Sequence, residues 1–94
     1  MEMDNIMTEM DSMFTNNGWY PIQKDTNRLS YTKKGNETDV FDIAVVGPTN
    51  VRVGVPMKNS TYQFVTTFKD CMEANTYVKS RFYEFIHLST FSTF

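Results

Sequence analysis

Thr38–Met57 reads TDVFDIAVVGPTNVRVGVPM, and this stretch decides the fold. Two runs rich in strand formers, Val40–Val46 and Val51–Val55, flank the breaker Gly47-Pro48-Thr49-Asn50. Phe41, Ile43 and Val45 fall on one face of the first run. Val51, Val53 and Val55 fall on one face of the second, with Arg52 and Gly54 turned away. A period of two bounded by turn residues predicts an antiparallel hairpin. The first run is also apolar at Val40, Ala44 and Val46 on its other face, which places it inside a sheet and not at an edge.

Before the hairpin, Trp19-Tyr20-Pro21-Ile22-Gln23-Lys24 reads as a first strand. Pro21 cannot donate to a ladder, so this strand belongs at a sheet edge. Asp25-Thr26-Asn27 turns the chain, and Arg28–Lys33 returns with Leu29 and Tyr31 on one face, Ser30 and Thr32 on the other. Lys34-Gly35-Asn36-Glu37 makes the next turn. Residues 19–57 thus predict a four-stranded antiparallel meander, joined by short connections. Upstream, Met3, Ile6, Met7, Met10, Met13 and Phe14 form one stripe of an amphipathic helix within residues 1–18. Asp4 or Asn5 suits its N-cap and Gly18 its left-handed stop. The Met stripe faces either the core or a partner to which Met can adapt.

After Pro56 the period changes, and residues 60–88 read as helical. Ser60-x-x-Gln63 fits a capping box, followed by the stripe Phe64, Val65, Phe68, Cys71 and Met72. The alternative over Tyr62–Phe68 is a fifth strand, since the run is rich in strand formers. Asn75-Thr76 breaks or re-caps the helix, and Val78, Phe82, Phe85 and Ile86 begin a second stripe. Residues 89–94, STFSTF, form a tail. The predicted architecture is one α+β domain over residues 1–94: an N-terminal helix, a four-stranded antiparallel β-meander, and one or two C-terminal helices packed on one sheet face. Phe41, Ile43, Val53, Phe68 and Phe82 are the predicted core. The other sheet face, with Ser30, Thr32, Asp42, Arg52 and Gly54, is left to water or a partner, and Asp42 is expected opposite Arg52.

The chain has 94 residues, a net charge of −2, one Cys and one His. Cys71 can form no intrachain disulfide and is expected to be a buried small hydrophobe. With His87 alone there is no His-pair metal site, and helix-end capping is its expected role. The glycines are single and scattered, so no phosphate-cradling loop is expected. Glu37, Asp39 and Asp42 lack a carboxylate on the neighbouring Val51–Val55 run, against the needs of a metal-dependent nuclease. No catalytic residue, cofactor or metal ligand is therefore assigned. No signal-peptide core or membrane-length apolar run occurs, so a soluble, cytoplasmic protein is expected.

In layout, with its closing run TYQFVTTFKDCMEANTYVKSRFYEF, the chain resembles small phage-encoded inhibitor proteins of the anti-CRISPR kind. That resemblance implies a non-enzymatic binder that occludes a larger host protein. The residues give a parallel argument. Eight Phe, five Tyr and one Trp exceed what so small a core is expected to bury, and Trp, Tyr and Arg are common interface anchors. The candidate partner-binding residues are Trp19, Tyr20 and Arg28 beside the first turn, and Tyr77, Arg81 and Tyr83 on the last helix. Core packing is the alternative for Trp19. The alternative function is a single-stranded nucleic-acid-binding module, using the basic and aromatic hairpin 19–35. A homodimer is compatible with either.

Overall fold

A computed structural model describes residues 2–57 and 62–91, with side chains described for 8–57 and 62–86. The elements run α1 (Glu2–Thr15), β1 (Trp19–Lys24), β2 (Arg28–Lys33), β3 (Asn36–Gly47), β4 (Asn50–Pro56), β5 (Gln63–Phe68) and α2 (Cys71–Phe91). The strands form one antiparallel sheet in the order β1-β2-β3-β4-β5. The α+β class and the helices before and after the sheet agree with the sequence reading. The hairpin is in place, with Ile43 opposite Val53 and Val45 opposite Val51, and its first strand is the centre of the sheet.

Both helices contribute to the core from one side. The buried set includes Met10, Met13 and Phe14 of α1, and Leu29, Tyr31, Phe41, Ile43, Val51, Val53 and Val55 of the sheet. Cys71, Ala74, Val78 and Phe82 of α2 complete it with Trp19. Phe14 is the hub. Its ring stacks on Tyr31 at 4.4 Å between centroids and meets Phe82 at 4.4 Å, Phe41 at 5.4 Å and Trp19 at 5.8 Å. Such contacts add to area burial by their offset and tilted geometry. The described part of the Met stripe therefore faces the core. Cys71 is buried as expected.

Three sequence expectations are corrected. Tyr62–Phe68 is not the start of a helix: residues 63–68 form β5, where Val51 pairs with Phe68 and Pro56 with Gln63. Strand propensity wins because β4 offers a complete ladder to pair with. The sheet has five strands, not four. The helix N-cap lies later than expected. Asp70 accepts the Glu73 amide at 2.8 Å, so Asp70 is the N-cap of the helix, whereas Ser60 lies outside the described residues. Finally, α2 does not break at Asn75-Thr76, and it continues through Ser89–Phe91. Asn75 is accommodated by donating to Glu9 on α1 at 3.1 Å, and Thr76 by donating to the Met72 carbonyl at 3.0 Å.

Phe41, Ile43, Val53 and Phe82 are buried, but Phe68 is only partly so, lying on the last strand of the sheet. Helix α1 begins at Glu2, earlier than an Asp4 or Asn5 cap allows. Gly18 does provide the stop, with φ of 82°, a conformation cheap for glycine alone.

Candidate protein-docking surfaces

The six candidate residues divide among three places. Trp19 is removed from consideration because it is buried, 3% exposed. The left-handed Gly18 reverses the chain directly after α1, and this brings the indole back against Phe14, Phe41 and Phe82. Core packing, the alternative weighed for it, is what the fold selects.

Tyr20 and Arg28 lie on the sheet face that bears no helix. Tyr20 stands across from Thr32 and donates to Glu37 at 3.3 Å. Partial desolvation, then the Glu37 charge, push its phenol pKa up. Arg28 grips Asp42 with two hydrogen bonds, 2.9 and 3.3 Å. This bidentate pair holds the guanidinium and raises its pKa. Asp42 also accepts from Ser30. The expected Asp42–Arg52 pair is thereby corrected: Gly54 is opposite Asp42, and Arg52 is opposite Ala44. Arg52 is exposed and makes no hydrogen bond or ion pair among the described residues.

This face is more ordered than its polar content suggests. Ser30 and Thr32 are 3% and 1% exposed although no helix covers them. Ser30 donates to Asp42, and Thr32 donates to the Asp39 carbonyl at 2.7 Å. Further along, the β3–β4 register continues to set Pro56 against Val40. Proline has no N–H to offer the Val40 carbonyl. The Gln63 amide supplies the donor instead, at 2.7 Å. To do so it lies across Gly54, where a Cβ would come within 3.0 Å of its oxygen. Glycine here makes room for a side-chain clasp between β5 and β3.

The helix candidates separate. Tyr77 is not turned outward as helical spacing implied. It is half-buried, its ring 5.1 Å from Phe68, because β5 occupies the flank that was expected to be helix. Arg81, one turn on, bonds Glu84 at 2.8 Å. Tyr83 points elsewhere, as residues two apart on a helix do, and is 59% exposed. The surface that sequence reasoning missed joins β5 and the start of α2. Tyr62, Phe64 and Met72 are 77%, 50% and 70% exposed there, and Val65, on the helix-free side of β5, is 53% exposed. Beside them an open groove is lined by Phe68, Met72, Glu73, Thr76, Tyr77 and Ser80. The strand-rich composition of Tyr62–Phe68 was the signal for it.

Among the described residues, no group of three or more His, Cys, Asp and Glu side chains is placed to hold a metal ion. No helix among them is long and apolar enough to cross a membrane. No known family, curated protein or solved structure matches the chain.

Proposed function

We propose that this protein is a non-enzymatic inhibitor that docks on a larger host protein and occludes it, in the manner of phage anti-defence factors. The observation that supports this is the helix-free sheet face with its locked side chains. Arg28, Ser30 and Asp42 hold one another, Thr32 is tied to the backbone, and Gln63 clasps β3. A surface already fixed in the free protein loses little side-chain entropy when a partner covers it. It offers apolar contact at Ala44, Val46 and Val65, an aromatic at Tyr20 and, at Arg52, a cation with no partner among the described residues, so the fitting partner surface carries a carboxylate opposite Arg52. Of these, Tyr20 and Arg52 are the residue types that anchor interfaces.

The nucleic-acid reading fares less well on the same observations. In hairpin 19–35, Trp19 and Tyr31 are buried, leaving Tyr20 as the exposed aromatic. Of its four basic residues, Lys24 is paired with Asp11 and Arg28 with Asp42. A stacking platform needs several exposed rings along a free basic track.

The test is affinity capture of the partner from the host, then binding by Tyr20→Ala, Val46→Asp and Arg52→Glu, each first shown to be folded. The reading expects weakened binding from Arg52→Glu above all, and little change from Tyr83→Ala on the opposite side. Parent-like binding by all three would remove this face from the interface. Catalytic turnover by the purified protein would end the occlusion reading.

A further inference from the structure

We infer that β5 pairs with β5 of a second copy, joining two five-stranded sheets into one continuous sheet across a two-fold axis. The Met57 amide donates to the Tyr62 carbonyl at 3.2 Å, which sets the phase of the β4–β5 pair. Tyr62, Phe64, Thr66 and Phe68 share that phase, so Gln63, Val65 and Thr67 direct their N–H and C=O groups away from β4. An outward row of this kind is a template for another strand.

The row is fit for itself. Residues 62–68 carry no charge, so self-pairing opposes no like charges. Outward groups on three alternate residues are all used when Val65 lies on the two-fold axis. Gln63 then faces Thr67 of the second copy, on the helix-free face. On the helix-bearing face, Tyr62 falls opposite Phe68 of the second copy, and Phe64 opposite Thr66. Each Tyr62 ring thereby reaches the groove between Phe68, Met72 and Tyr77, where aromatic cross-strand pairs are favourable.

The occupant is a second copy for two reasons. The first is area. Whole aromatic side chains bury about 150–250 Å² each. The exposed parts of Tyr62, Phe64, Val65 and Met72 thus supply on the order of 500 Å² per copy, and the strand backbone and rim bring this near the ~800 Å² of a standard interface. The second is closure. The opposite edge, β1, carries Pro21 and a register shift between Pro21 and Gln23. Each copy has one competent edge, so a two-fold pair consumes both and stops there. The pairing rests on the outward backbone groups of β5, although Gln63 and Val65 also belong to the helix-free face.

Mass measurement of the purified chain by sedimentation equilibrium at roughly 10 µM, in the range where interfaces of this size hold, tests it without any host protein. A species of twice the 11.0 kDa chain mass is expected. Val65→Lys sets two like charges on the axis and should return the chain to monomer with an unchanged circular-dichroism spectrum. Val65→Pro removes an outward N–H that β4 does not use, and should do the same. Val65→Cys in a Cys71→Ala background should oxidise to a covalent dimer, since opposed hydrogen-bonded residues lie about 5.5 Å apart, within disulfide reach. A monomeric parent, a dimer indifferent to Val65→Lys, or open-ended assembly would each overturn the inference. So would a monomer that instead binds an added extended peptide along β5.

Discussion

The two edges of the sheet are built on opposite principles. At β1, Pro21 withholds a donor, a register shift interrupts the ladder, and Lys24 is tied to Asp11 on α1. Trp19 at the start of this strand is sealed into the aromatic cluster. At β5 there is no proline, bulge or charge within the strand, and Phe64 and Val65 are half exposed. Proteins commonly blunt edges to prevent unwanted pairing. Blunting one edge while leaving the other regular and apolar makes the second edge the place to look for a partner strand. It also predicts that the β1 side carries most of the stability.

The largest effect tests that asymmetry directly. Phe14→Ala removes the ring shared by Trp19, Tyr31, Phe41 and Phe82 and should cost about 3–5 kcal/mol, much of the stability of a small domain. Phe68→Ala, at the β5 end, should cost only about 1–2 kcal/mol because its ring is already part-exposed. Urea melts of the two variants check this. Equal losses would break the asymmetry.

The next effect concerns the clasp at the β5 end. Gln63→Ala should cost about 0.5–1.5 kcal/mol by removing the donor to the Val40 carbonyl. Gly54→Ala should cost a similar amount because its methyl displaces the same amide. The double variant should be no worse than either single change, as expected for residues acting through one contact. Full additivity in a double-mutant cycle would show that Gly54 has a different role.

The smallest effect is with pH, and it should fall on the β1 side. A hydrogen bond from Lys79, with help from Asn75, holds the Glu9 carboxyl below its usual range. A hydrogen bond from Lys24 does the same for Asp11, against some cost of burial. Groups whose folded pKa is depressed contribute fully above the ordinary carboxylate range and lose that contribution as pH falls through and below it. Burial raises the pKa of Asp39, an effect of opposite sign. Melting temperature should therefore fall between pH 5 and 3, roughly the span of unperturbed and depressed carboxylates. Glu9→Gln and Asp11→Asn should each flatten that slope. Because both residues pin α1, amide exchange under acid should rise first in α1 and last in β3.

Much of the architecture was legible because it is written in local periods. The alternation around Phe41–Val45 and Val51–Val55, Pro21 at an edge, and Gly18 as a stop depend on backbone geometry that each short segment carries with it. The Met10–Met13–Phe14 stripe likewise required a covered face. The candidate site was less legible, since exposure is settled between segments. Trp19 and Tyr77 have ordinary interface chemistry, yet one was enclosed by α1 and the other shielded by β5.

By itself, then, the chain determined a central hairpin, an antiparallel meander with one proline-bearing edge, and helices at both ends, because residue spacing alone distinguishes a period of two from one of 3.6. Only the tertiary structure decided Tyr62–Phe68, whose residues satisfy both periods over so short a run. The free edge of β4 resolved it: pairing there satisfies backbone groups that a helix beginning at Ser60 would have left open. That choice also moved the start of α2 to Cys71, half-buried Tyr77 and created the exposed edge. Arg28 rather than Arg52 became the partner of Asp42 for the same kind of reason, as strand register is fixed by the ladders on both sides and not by the charges along one strand.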